Sequence, residues 1–120
     1  MKHFAFIAFS LMVTLFSSCY YDKEDLLYPN ANQPVDCATI GAKFATDIQP
    51  IINAQCATAG CHNAAAAGGV VLMTYAQISA AKDRINARAV VQKTMPTSGP
   101  LSTTEINKIK CWIDGGALNN

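Results

Sequence analysis

The chain has 120 residues, 51% of them hydrophobic, and nine Lys and Arg against eight Asp and Glu leave a net charge of +1. That length predicts one domain, and a near-neutral balance without a dense basic stripe gives no basis for a nucleic-acid partner. Five cysteines in so short a chain point to a fold held by covalent links.

Lys2 and His3 precede an apolar run from Phe4 to Phe16. The run is shorter than the ~20 residues a membrane span needs. A basic start, a short apolar stretch and then small residues describe a secretory signal over 1–18. Ser17, Ser18 and Cys19 resemble a bacterial lipobox, which implies that Cys19 is lipidated and becomes the mature N-terminus, although Phe16 stands where leucine is usual. The alternative is an ordinary signal peptide with Cys19 left as a thiol. Lipidation would place the chain outside the cytoplasm, anchored to a bacterial membrane at its periplasmic face or at the cell surface.

Residues 19–36 hold two prolines, clustered polar side chains and no hydrophobic period, and read as a tether. Asp22, Glu24, Asp25 and Asp36 against Lys23 make residues 20–36 acidic, while residues 37–120 carry a net +3. The acidic stretch resembles the export signals of some surface lipoproteins; a solvated linker explains it equally.

Three capping boxes open three helices in the 37–120 domain. Thr46 and Gln49 open the first, with Ile48, Ile51 and Ile52 on one face and Pro50 in its first turn. Thr74 and Gln77 open the second, whose apolar positions are Tyr75, Ile78 and Ile85. Ser102 and Glu105 open the last, with Leu101 and Ile106 as a hydrophobic staple, Ile106, Ile109 and Ile113 as the buried stripe, and Gly115 as the stop. No strand pattern competes, so the expected class is all-α, with three to four short helices. That is little polypeptide for a self-sufficient core, and a large flat cofactor between the helices would complete it.

The chemistry gathers in "CATAGCH", Cys56 to His62. Two cysteines with a histidine directly after the second suit covalent haem attachment: each thiol adds to one porphyrin vinyl group, and the histidine supplies an axial nitrogen. The usual spacing is C-x-x-C-H; here Ala57, Thr58, Ala59 and Gly60 make a longer, flexible bulge. Zinc needs about four ligands, and His62 is the one histidine past the signal segment. A Cys56–Cys61 disulfide accounts for the thiols but leaves His62 unexplained. Cys37 and Cys111 then remain, and in an oxidising compartment they are expected to pair. Cys111 falls away from Ile106, Ile109 and Ile113 on the last helix, so the bridge should lie on its outer side.

From Phe44 onward the chain resembles a small bacterial c-type cytochrome domain. The matching pieces are "DIQPIINAQC", "GCH", "MP" and "LSTTEINKIKCWIDGGALNN", in that order. The resemblance implies a cytochrome c-like fold, its first and last helices crossing beside one covalent haem c. It implies Cys56 and Cys61 as attachment residues, His62 as proximal and Met95 as distal iron ligand. A count of residues points to Met95 as well. No second histidine follows the signal, and of Met73 and Met95 the former, in "VVLMTY", suits the core. Met95 as a core gap-filler is the alternative. Trp112 is expected near the haem or as an ordinary core aromatic, and Arg88 beside a propionate or in solvent.

The function this describes is electron transfer rather than enzymatic catalysis: a membrane-anchored monohaem cytochrome c exchanging single electrons with redox partner proteins. Two alternatives stay open. One is a five-coordinate haem c protein that binds a small gas or peroxide. The other is a haem-free, disulfide-stapled surface lipoprotein that binds a partner.

Overall fold

The computed structural model of the chain describes residues 34–120, and every regular element among them is helical. The signal segment 1–18, Cys19 and the tether up to residue 33 lie outside the described residues. Five α-helical segments replace the three or four expected: α1 Cys37–Ile40, α2 Gln49–Gln55, α3 Tyr75–Ala80, α4 Lys82–Ile85 and α5 Thr103–Asp114. Wide, π-type turns extend two of them, Phe44–Ile48 leading into α2 and Asn86–Val91 continuing α4.

Local sequence accounts for α3 and α5. In each, the Thr74 or Ser102 hydroxyl accepts the N–H of the third helical residue, and Gln77 or Glu105 reaches back to the cap. The α5 stripe is in place, with Ile109 fully buried and Leu101, Ile106 and Ile113 against the core. A side chain at Gly115 would bring its Cβ to 3.2 Å from the Cys111 carbonyl oxygen, a tight contact that glycine avoids where this helix stops.

The expected Thr46 box does not form. The first helix starts earlier, with Lys43 at its cap, and Thr46 lies inside the wide turn, where its hydroxyl donates to Asp47 Oδ2 at 3.0 Å. The reason is that other groups satisfy the leading N–H donors. Lys43 N–H donates to Asp47 Oδ2 at 3.1 Å, Phe44 N–H to Asn120 Oδ1 at 2.9 Å and Ala45 N–H to the Asn120 main-chain oxygen at 2.9 Å. The wide turn comes just before Pro50, which has no N–H to continue the regular ladder.

Two further differences have local causes. The carboxylate of Asp36, the last residue of the expected tether, accepts from Ala38 and Thr39 N–H and nucleates α1, a helix not expected at the start of the domain. Ala81 leaves helical geometry at φ −92°, ψ 3° and divides the expected second helix into α3 and α4. The helical path then runs on to Val91.

The core gathers Phe44, Ile48, Ile52, Leu72, Ile78, Ile85, Ala89, Leu101, Ile109, Trp112 and Ala117. Phe44 sits centrally: its ring meets Tyr75 edge-on at 5.0 Å between centroids and Trp112 at 5.7 Å. Trp112 donates its indole N–H to the Leu118 carbonyl at 2.8 Å, and the Tyr75 hydroxyl donates to the Ala117 carbonyl at 3.0 Å. Each aromatic polar group thus pins the segment after α5. Besides the Phe44–Trp112 contact, two polar contacts tie the Phe44–Gln55 helical path to α5, Lys108 Nζ to Asp47 Oδ1 at 2.6 Å and Gln55 Nε2 to Glu105 Oε1 at 3.4 Å. The expected disulfide joins Cys37 of α1 to Cys111 of α5. No helix among the described residues is long and apolar enough to cross a membrane.

Candidate functional site

Cys56 ends α2. Its own N–H and that of Ala57 both bond to the Ile52 carbonyl, at 2.9 and 2.8 Å, so the helix closes on a widened last turn. The chain then reverses within four residues. Cys61 N–H donates to the Thr58 carbonyl at 3.0 Å, and Gly60, third in that turn, has φ +80°. Glycine serves at this position because a Cβ disfavours positive φ. His62 N–H then donates to the Cys56 carbonyl at 3.0 Å and closes the loop. The four intervening residues are therefore an ordered bulge that returns Cys61 and His62 to the end of α2.

The loop is fastened on its far side too. Ala67 N–H donates to the Cys61 carbonyl at 3.0 Å, and Leu72 N–H to the His62 carbonyl at 2.7 Å. His62 Nδ1 lies 3.1 Å from the Val70 carbonyl oxygen. A carbonyl can only accept, so Nδ1 carries the proton and Nε2 keeps its lone pair. Such a hydrogen bond fixes the ring's orientation and tautomer.

Cys56 and Cys61 are free thiols, both half-buried. Burial pushes the Cys56 thiol up to about 11, and the negative charges of Cys61 and Glu105 add to the effect. Cys56 therefore stays protonated at neutral pH. The thiols and the His62 ring thus lie in one hydrogen-bonded loop next to the α2–α5 contact.

Met95 follows the wide turn that ends α4's path. Its N–H and that of Thr94 both donate to the Arg88 carbonyl, at 3.2 and 2.9 Å. The Met95 side chain is 37% exposed. Met73, assigned to the core from its apolar neighbours, is instead 49% exposed; the buried member of that stretch is Leu72. The Gln77 side chain, which accepts from Met73 N–H at 3.1 Å, fixes the backbone there and leaves the thioether outside. Trp112 is a core aromatic packed on Phe44, and Arg88 is exposed. Sequence reasoning missed the Val70 carbonyl, because a side chain bonded to backbone eight residues later leaves no pattern in residue types. Among the described residues no group of three or more His, Cys, Asp and Glu side chains gathers as a metal site.

Comparison of the chain with family models, with curated proteins and with solved structures gives no match.

Proposed function

We propose that the protein is a lipid-anchored, extracytoplasmic monohaem cytochrome c that exchanges single electrons with partner proteins. The observation that carries this reading is the closed loop from Cys56 to His62: two free thiols, and beside them an imidazole whose Nδ1 proton is held by the Val70 carbonyl. The donor set fits a c-type haem. A porphyrin brings four of the iron's six ligands, so the protein need supply only two. Cys56 and Cys61 would hold the macrocycle by thioethers, His62 Nε2 would be the proximal ligand, and the exposed Met95 thioether would be the distal one. Bound there, the haem supplies a one-electron ferric–ferrous couple.

The chain's own residues hold and position. Gly60 sets the turn that returns Cys61 toward α2, and the His62–Cys56 backbone bond fixes the loop that carries all three side chains. The Val70 carbonyl holds the Nδ1 proton and so fixes the ring's orientation and the tautomer that presents Nε2. Cys19 would carry the lipid, with residues 20–36 as the tether to the membrane surface.

The test is a haem stain on a denaturing gel with the intact mass of the secreted protein. One haem surviving denaturation, lost in Cys61→Ser and in His62→Ala, is the expected result. An intact mass with no haem over the apo chain sinks the reading and leaves the haem-free surface lipoprotein.

A further inference from the structure

The Cys37–Cys111 disulfide stands apart from the core it is expected to staple. Helix α1 contributes no buried residue, and the core begins only after it, with Ala42 and Phe44. Cys111 is buried but is not a member of the main core cluster. Both cysteines line an open cavity of about 420 Å³ together with Gly41, Lys43, Asp114 and Asn120. The bond is therefore reached from solvent, and what it ties to α5 is a single turn of helix with no buried side chain of its own.

We infer that this disulfide is a thiol–disulfide exchange site, a clasp that a dithiol can open to release α1 while the remaining fold persists. An incoming thiolate attacks the sulfur of Cys37, a half-buried residue, whereas Cys111 is 6% exposed. The Cys37–Cys111 bond breaks, Cys111 leaves as a thiolate and takes a proton, and a mixed disulfide forms on Cys37. The second thiol of the reductant attacks that mixed disulfide and frees Cys37 as a thiol. The dithiol loses two electrons and two protons and becomes its own disulfide; the two cysteines gain them. Lys43, exposed on the cavity wall, favours the approaching anion. Asp114, on the same wall, opposes it less than a free carboxylate would, because it is ion-paired with Lys110.

The reaction does not depend on the haem reading, and it is tested on the purified full-length protein as isolated. Dithiothreitol is the probe, with quenching, alkylation and peptide mapping to assign each thiol. A reduction rate that changes by less than about two-fold between 0 and 1 M urea supports attack on the folded protein. A rate that climbs several-fold per molar urea, in step with global unfolding, overturns it. Glutathione, a monothiol, should leave its adduct on Cys37, and an adduct on Cys111 refutes the assigned attack. After reduction and alkylation, hydrogen exchange should speed up at the Ile40 and Gly41 amides and stay slow at Ile52 and Ile109. Fast exchange at all four would show that the bond holds the whole fold and that the clasp is wrong.

Discussion

Asn120 caps the helix that Phe44 begins, across 76 positions of sequence: the Phe44 N–H donates to Asn120 Oδ1 at 2.9 Å. The Asn120 main-chain oxygen takes the next donor, Ala45 N–H. Asn120→Ala removes the side-chain half of this cap and should cost about 1 kcal/mol in urea denaturation. Asn120→Asp keeps the acceptor and adds a charge favourable at a helix start, so it should match or exceed the parent. Equal loss in both variants would show that the amide acts through something other than capping.

The turn that returns Cys61 to the end of α2 is held by Gly60, at φ +80°. No atom stands within 4 Å of a Cβ built there, so the cost of Gly60→Ala is conformational, from φ +80° alone. About 1 kcal/mol of stability should be lost. The yield of covalent haem should fall in parallel, because the turn sets where Cys61 returns. Unchanged stability with unchanged haem yield would contradict the turn's assigned role.

The Asp47–Lys108 pair makes a defined contribution to acid sensitivity. The Lys108 ammonium holds the Asp47 carboxyl below its ordinary value of 3.8, helped by the Lys43 N–H. A carboxyl lowered in the folded state stabilises fully above its unfolded pKa, and that stability is lost as pH falls through the folded value. Solvent reaches both partners, which keeps the effect to roughly 0.5 kcal/mol. Asp47→Asn should flatten the stability profile below pH 4 by that amount and change the slope above pH 5 little. An unchanged acid limb would show that the pair is energetically silent.

How much of this was legible depended on how far each interaction reaches along the chain. The Thr74–Gln77 and Ser102–Glu105 boxes are complete within four residues, and the sequence displays them in full. The Thr46–Gln49 pair has the same spelling but loses, because its competitors include Asn120, which no local window contains. The disulfide was legible by the expected pairing of the two cysteines left over, and the helical geometry of α5 set Cys111 apart from the core. The order of Cys56, Cys61 and His62 was plain, whereas the carbonyl that orients His62 was not. Met73 misled because an apolar neighbourhood in sequence does not fix which member of it turns inward; Leu72 did.

The Cys56 thiol gives a pH signature in the chain produced without haem. With its pKa pushed up to about 11, only the small thiolate fraction reacts near neutrality. Its alkylation rate by iodoacetamide should rise about tenfold per pH unit from 7 to 10 with no plateau. A plateau below pH 9 would mean that the thiol is not held in its buried, anionic surroundings. In the haem-loaded protein the same residue should not react at all.

The two exposed thioethers can be told apart in the haem-loaded protein. Met95→Ala should remove the weak charge-transfer band at the red end of the ferric spectrum and let the ferrous protein bind carbon monoxide. Met73→Ala, although its side chain is the more exposed, should leave both properties unchanged. The reverse pattern would move the distal ligand to Met73.

The bonds from residues 117, 118 and 120 back to Tyr75, Trp112, Phe44 and Ala45 have a consequence for the order of events during synthesis. A chain leaving a ribosome or a translocation pore presents Phe44 long before Asn120. Until residues 112–120 have emerged, the helical path from Phe44 lacks the Asn120 acceptors for the Phe44 and Ala45 N–H groups, and the aromatic cluster lacks Trp112. The bonds to Ala117 and Asn120 join residues 42 to 76 positions apart, so they form only after residues 117–120 have been made.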